Sequence, residues 1–487
     1  MPEQPNILLM VSDQHAAQVM GCAGDPLVRT PNLAALAERG TIFDHAHCAA
    51  PLCVPSRMTM LTGRHCSEIG VWTNSCYLPS DTPTFAHALG AAGYETVLCG
   101  RMHFVGPDQR HGFHKRIMGD VTGLTHPGSC MPNMPRKLLS GTGQGYSAVD
   151  VAGPGRTAYQ AFDEAVLERA HGWLARRAES DDERPFLLTA GFVLPHCPFV
   201  ARQELYDYYH ERIDIPEMPE GYLDNLHPAM KEWRASRGIE ELTEEQIRKA
   251  RAAYYGMVEH FDEVVGGMLR SLEDVGLSDD TIVIYVSDHG ESAGRNGLWW
   301  KSNFYDHSVG VPMMMAGPGI QQARRSEIVS LLDLAPTLSD LAGAPDLPRR
   351  AGQSLLPLLR DELSAPWRDE ALSEMVNLGP KYPYPGRMIR RGPWKLIHYE
   401  GQEPMLFNLD EDPNEFMDRA QDPACSEVRA YLHHRVREGW EPEAALRTLR
   451  RHQEGQALLK DWMQAWEDIP LDADYWHAPD ESNAIAW

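Results

Sequence analysis

The chain has no run of about 18 apolar residues, so no segment reads as a membrane-spanning helix. It also lacks a basic opening stretch. Residues 1–6 carry no lysine or arginine, and the apolar run behind them is only strand-length, so a cytoplasmic protein without a signal peptide is expected. A disulfide framework is missing too: the nine cysteines are scattered and odd in number, which suits reduced thiols. No internal repeat or low-complexity tract is visible. Positive charge is in deficit, with 45 Lys and Arg against 69 Asp and Glu and a net charge of -24. So acidic a surface repels nucleic acid and disfavours long polyanionic glycans. It suits a cationic, zwitterionic or small substrate, or simply keeps the protein soluble.

What is present is ordinary globular composition, 43% hydrophobic and 23% charged, over 487 residues. That is enough for a large α/β domain with an appendage. Asn6–Ser12, Glu95–Cys99, Phe186–Val193 and Thr281–Ser287 read as buried strands. Helices are expected from Thr30-Pro31 to Gly40, from Thr82-Pro83 to Gly93, and from a Thr243/Gln246 capping box to about Gly276. Strands alternating with helices imply an α/β fold with a large mixed, mostly parallel sheet flanked by helices. We place this catalytic domain at residues 1–365. The character changes afterwards. Arg387–Arg391, a Gly392-Pro393 turn and Trp394–Tyr399 predict a hairpin, with Met405–Leu409 as a further strand. Residues 366–487 are therefore expected to form a smaller C-terminal α+β domain with an antiparallel sheet. Its tail carries Trp462, Trp466, Tyr475, Trp476 and Trp487, which suggests docking onto the main domain or in a homo-oligomer, dimer or tetramer.

Ligands in open α/β sheets bind beyond the carboxyl ends of the strands. Here those ends carry Asp13-Gln14-His15, Gly100-Arg101-Met102-His103, Leu194-Pro195-His196 and Asp288-His289-Gly290-Glu291. One such end could merely cap the next helix; four together point to one functional rim. Asp13 and Asp288 are the expected metal pair, because hard cations want carboxylate oxygens and an unpaired carboxylate after an apolar strand is costly. His289 would add a nitrogen ligand and tilt the choice from Ca²⁺ toward Mn²⁺. In Cys53-Val-Pro-Ser-Arg57, Pro55 fits the first turn of a helix. Cys53 then stands beside free N–H groups, as a reactive thiol or a buried structural cysteine. Arg57, one turn in, would hold the nucleophile or an anion oxygen.

The run C-x-P-S-R-x-x-x-L-T-G-R from Cys53 to Arg64 resembles the signature of type I sulfatases, in the alkaline phosphatase superfamily. The resemblance implies that a formylglycine-generating maturation enzyme converts Cys53 to formylglycine. The hydrated aldehyde attacks sulfur, and its second hydroxyl then expels sulfate. It also implies one divalent metal, Ca²⁺ or Mn²⁺, held by Asp13, Asp288, His289 and residue 53. Gln14, where many members have a second Asp, is a further candidate ligand. Gly100-Arg101-Met102-His103 resembles the family's G-K-x-H, with Arg101 for the sulfate-binding Lys. His103 would then contact the nucleophile and take its second proton. Pro195-His196-Cys197-Pro198 resembles P-H-x-P. His196 or Lys301 would protonate the leaving oxygen, and Asn74 would contact the anion. Residues 100–113 and 288–320 resemble choline sulfatases. Asp-Gln and Asp-His at the two metal segments also occur in phosphonate monoester hydrolases. The expected substrate is a small sulfate ester, such as choline-O-sulfate or an aryl or alkyl sulfate. The alternatives are a phosphonate monoester or phosphodiester hydrolase, or a non-catalytic relative. A choline headgroup would want an aromatic cage or carboxylate, for which Trp72, Trp299, Trp300, Tyr305 and Glu291 are candidates.

Overall fold

The computed structural model describes residues 4–121, 143–378 and 383–465. Eight strands form the main sheet: β1 (Asn6–Ser12), β2 (Gly40–His47), β3 (Glu95–Gly100), β4 (Lys115–Met118), β5 (Phe186–Gly191), β6 (Thr281–Ser287), β7 (Met313–Ala316) and β8 (Ala323–Ser330). Their spatial order is β8-β2-β7-β6-β1-β5-β3-β4. Only β7 runs against its neighbours; every other pairing is parallel. The central strands β1, β5 and β6 are buried along almost their whole length, as a sheet covered on both faces requires. β6 has the bounds expected from its apolar run, and β1 likewise. Strands β2, β7 and β8 were not expected. The sequence FDHAH in β2 and ARRSE in β8 interrupts any apolar run: β8 is an edge strand that turns alternate residues outward, and β2 beside it exposes Asp44.

The long helix Glu244–Asp274 starts at the expected Thr243/Gln246 capping box and packs along the helix Ala158–Ala178. Two boundaries are corrected. The helix expected from Thr82 begins at Phe85, capped by Thr84 and His87, so Thr82-Pro83 belong to the preceding loop. Gly40 does not close a helix by turning left-handed. It opens β2, where a Cβ would come within 2.1 Å of the Met315 carbonyl oxygen.

The second sheet is the antiparallel meander β9 (Glu370–Leu378), β10 (Pro383–Arg391), β11 (Trp394–Tyr399) and β12 (Met405–Asn408). Its period of two divides its apolar residues. Met388, Ile397, Met405 and Phe407 join the core of the main body. Ile389, Leu396 and Leu406 face the other way, onto Leu432 and Val436 of the helix Ser426–Arg437. A buried lysine also ties the two parts, with Lys395 Nζ 2.8 Å from Glu415 Oε1 and 3.4 Å from Asp306 Oδ1. Of the aromatic tail only Trp462 lies within the described residues, half-exposed on the helix Pro442–Ala465; Trp466, Tyr475, Trp476 and Trp487 lie outside them. No described helix is long and apolar enough to cross a membrane.

Candidate active site

The strand register brings the polar groups together. Ser12 of β1 pairs with Ser287 of β6, so Asp13 and Asp288 leave the sheet side by side. Gly100 of β3 pairs with Gly191 of β5, which sets Arg101 and the 192–196 loop on the same rim. Glycine is needed at this crossing: a Cβ at Gly191 would sit 1.7 Å from the Arg101 carbonyl oxygen. The helix Cys53–Thr62 then points its N-terminus at the rim. Cys53 is its first residue, and Asn74 Oδ1 accepts the Val54 N–H at 3.0 Å, so the Asn74 side chain fastens the helix start.

Asp13, Cys53, Asp288 and His289 each present one donor atom, and these lie within 4.8 Å of one another in a fully buried cluster. The Cys53 Sγ is 3.6 Å from Asp13 Oδ1 and 3.2 Å from His289 Nε2. The rest of the hydrogen bonding aims lone pairs inward. His289 Nδ1 is bonded to the Gly290 carbonyl, so it carries the proton and leaves Nε2 bare toward the cluster. Arg57 Nη2 and Arg101 Nε hold Asp13 Oδ2 at 3.2 and 2.8 Å, leaving Oδ1 for the cluster. Arg57 Nε donates to Asp288 Oδ2 at 2.8 Å. Asp288 Oδ1 accepts the N–H groups of Gln14 and His289. Two carboxylates, a bare imidazole nitrogen and a sulfur converging in a buried space are a donor set for a divalent cation.

Arg57 therefore faces the two carboxylates and the Arg101 carbonyl, where the sequence placed it on the nucleophile or the anion. Burial works against its charge, but Asp288 and Asp13 outweigh it and raise its pKa. Asp13 is held well below the usual carboxylate range: burial opposes ionisation, and the Arg101 and Arg57 guanidiniums overcome it. Burial, aided by the Asp13 carboxylate, pushes the Cys53 thiol up to about 12. As a bare cysteine in this setting it is a poor thiolate nucleophile.

Two cation–imidazole pairs flank the cluster. Arg101 Nη2 lies 2.8 Å from His103 Nδ1, and Lys301 Nζ lies 2.8 Å from His196 Nε2. Lys301 also donates to Gln14 Oε1, whose Nε2 donates to Glu291 at 2.6 Å. The Gln14 amide thus bridges Lys301 and Glu291, while its N–H serves Asp288. Burial and the Lys301 charge hold His196 well below its ordinary pKa; burial and Arg101 do the same to His103.

The aromatic candidates for a headgroup cage have packing partners of their own. Trp72 packs edge-on against Trp440, while Trp299, Trp300 and Tyr305 lie tilted against Phe199, Trp233 and Phe407, each ring buried in the core. Glu291 accepts the N–H groups of Ala293 and Trp300 besides Gln14, so it braces the 291–300 loop. Sequence reasoning also missed Asp120 and Asp163. Asp120 bonds Arg101 and the His103 N–H, and Asp163 accepts the N–H groups of Val193 and Leu194, each at 2.9 Å. Asp120 follows β4, whose sequence KRIM is too short and polar to mark a strand end. Asp163 sits mid-helix, where an acid usually means solvent.

Residues 5–344 match the Sulfatase family model. The chain belongs to the sulfatase family. Residues 294–441 of this sulfatase also match the C-terminal region of N-sulphoglucosamine sulphohydrolase. It is 35% identical to the choline-sulfatase of Rhizobium meliloti (strain 1021), over 86% of this chain and 83% of that one. It is 30% identical to the arylsulfatase K of Bos taurus, covering 85% and 78%. Family and relatives make it a sulfuric ester hydrolase. Among solved structures, the phosphonate monoester hydrolase of Agrobacterium radiobacter shares the fold with a TM-score of 0.74 at 23% identity, over 92% of this chain and 96% of that one. A Bacteroides thetaiotaomicron protein described as a sulfatase aligns at 0.71 with 25% identity, covering 99% and 98%.

Proposed function

We propose that this sulfatase hydrolyses a small sulfate ester, such as choline-O-sulfate or an aryl or alkyl sulfate, to alcohol and sulfate, with Cys53 as the formylglycine precursor. The observation that carries the reading is the Cys53 side chain at a helix N-terminus, 3.2 Å from His289 Nε2 and 3.6 Å from Asp13 Oδ1. The likeness to a choline-sulfatase supports the small substrate. So does the net charge of -24, which disfavours long polyanions.

A divalent cation, Ca²⁺ or Mn²⁺, held by Asp13, Asp288, His289 and residue 53 would draw charge from the sulfate oxygens. Formylglycine at position 53 would supply a hydrated aldehyde, whose second hydroxyl permits release of sulfate without attack by water. The chain's own residues do the rest. Arg57 and Arg101 hold the Asp13 and Asp288 oxygens in place. Lys301 and His196 share a proton beside the cluster and serve the departing alcohol oxygen. His103 attends the nucleophile side. A maturation enzyme must act on Cys53 before the helix Cys53–Thr62 is buried, because the residue is enclosed in the folded chain. Exposed Leu458 and Trp462, one turn apart on the last helix, support docking of the C-terminal arm in a homo-oligomer.

A second reading, hydrolysis of phosphonate monoesters or phosphodiesters, is favoured by the Asp13-Gln14 and Asp288-His289 pairs. Comparing kcat/KM on an alkyl sulfate, an aryl sulfate, and the matched phosphodiester and phosphonate separates the two. The proposal expects the sulfates to lead. A phosphonate or phosphodiester preferred by tenfold or more would replace it with the second reading.

A further inference from the structure

The helix Ala158–Ala178 lies along the segment that carries His196 and holds it from its first two turns. Asp163 accepts the N–H groups of Val193 and Leu194, and Gln160 Nε2 donates to the Val200 carbonyl at 2.9 Å. The His196 main-chain N–H donates to the Val193 carbonyl, also at 2.9 Å. Tyr159 stands one turn before Asp163 and so on the same helix face. Its ring meets the His196 imidazole edge-on, with centroids 5.9 Å apart and planes at 76°. Helix and segment are thus bonded on both sides of that contact, at Leu194 and at Val200, which leaves the tyrosine little freedom to move.

The phenol of Tyr159 is unspent. The residue is 7% exposed, its main-chain N–H bonds Thr157 Oγ1, and no described residue bonds its hydroxyl. A buried hydroxyl without a partner costs free energy. Tyr254 and Tyr285, beneath the same rim, bond theirs to the Gln14 carbonyl at 2.9 Å and to Ser12 Oγ at 3.0 Å. Tyr399 in the second sheet also lacks a partner, but burial alone acts on it. Tyr159 instead lies in the field of Arg101, Asp13 and Cys53. Burial outweighs the Arg101 charge and raises its pKa, so the phenol keeps its proton as a donor.

We propose that Tyr159 is a further substrate-contacting residue, whose hydroxyl donates a hydrogen bond to a non-bridging oxygen of the sulfate group beside His196. The proposal rests on the sulfatase reading for the identity of the anion. A sulfate oxygen would satisfy the donor that the folded chain leaves idle. A donor already held in place needs no reorganisation when charge shifts onto that oxygen.

The test compares the full-length, formylglycine-bearing wild type with Tyr159→Phe, which keeps the ring against His196. The variant should lose about 10–100-fold in kcat/KM. The loss should be the same on an alkyl and an aryl sulfate, because both carry the same sulfate group. Inorganic sulfate, used as a competitive inhibitor, should bind several-fold more weakly. The Tm should hold or rise, since the hydroxyl has no protein partner to lose. Wild-type kcat/KM in the variant overturns the proposal. So does a loss confined to the alkyl ester, which would put the hydroxyl on the leaving oxygen. A fall in Tm that accompanies the lost activity would make Tyr159 structural and overturns it too. A wild type that turns over no sulfate ester sinks the sulfatase reading instead; Tyr159→Phe is then judged in the same way on the phosphonate or phosphodiester that the enzyme does hydrolyse.

Discussion

The two histidine stations beside the cluster share a plan and differ in stiffness. Each imidazole accepts from a cation, and each is backed by a buried carboxylate that collects main-chain N–H groups. On one side Asp120 grips Arg101 and His103; on the other Asp163 grips Val193 and Leu194, at the root of the His196 loop. The Arg101 fork is fixed by Asp13, Asp120 and His103. The Lys301 ammonium turns about a single bond, with Gln14 and His196 as partners. The rigid station suits a group that must keep one hydrogen bond in place. The rotating one suits a group that gives up a proton and recovers it.

The comparison can be broken from either side. Cys53→Ala, which removes the group both stations serve, should cut turnover by 10⁴-fold or more, on the order seen when other enzymes lose their nucleophile. Circular dichroism should show an unchanged fold. Lys301→Ala should lower kcat about 10²–10⁴-fold on an alkyl sulfate, the loss of a general acid. The same variant should lose much less on an activated aryl sulfate, whose phenolate leaves unaided. An equal loss on both esters would place Lys301 in anion binding and not in proton transfer. Asp13→Asn leaves Arg57 and Arg101 short of a buried partner and should cost about 3–5 kcal/mol of stability in denaturant melts. It should also abolish any rise in Tm on adding Mn²⁺ or Ca²⁺.

A smaller effect distinguishes the two backing carboxylates. Burial pushes Asp163 up to about 8, against the two N–H bonds that favour its ionised form. An acid raised above its ordinary 3.8 in the folded state resists ionising there, so it costs stability as pH climbs from about 4 toward 8. Asp163→Asn should flatten that part of the stability profile, measured as Tm against pH. An unchanged slope would show that Asp163 ionises freely. Smallest of all is Tyr305→Phe. It removes one 3.5 Å hydroxyl contact with Tyr222, worth no more than about 1 kcal/mol, and should leave kcat/KM on choline-O-sulfate near wild type. A large rise in KM would return Tyr305 to the binding site.

The apolar strands β1 and β6 were legible because a strand buried on both faces has no reason to alternate. The residues after them were legible because a charge at the end of such a run is expensive without a purpose. Cys53 and Arg57 stood out by spacing. The edge strand β8 and its neighbour β2 were not legible, since Arg324, Arg325 and Glu327 in one and Asp44 and His45 in the other break their apolar runs. Nor was the difference between wall and pocket. Trp299, Trp300 and Tyr305 look alike in sequence whether a ring lines a cage or fills a core, and only their partners Phe199, Trp233 and Phe407 decide it. Asp120 and Asp163 escaped for a related reason: each acts on main-chain N–H groups brought near by the fold, and no local pattern announces them.

The proposed activity turns on residue 53. The decisive measurement prepares the protein with graded amounts of a formylglycine-generating enzyme and quantifies conversion of the Cys53 peptide by mass spectrometry. Each preparation is then assayed on one sulfate ester. Turnover is predicted to rise in proportion to the converted fraction, from near zero for the all-cysteine protein. Full activity in protein whose position 53 is still cysteine would contradict it.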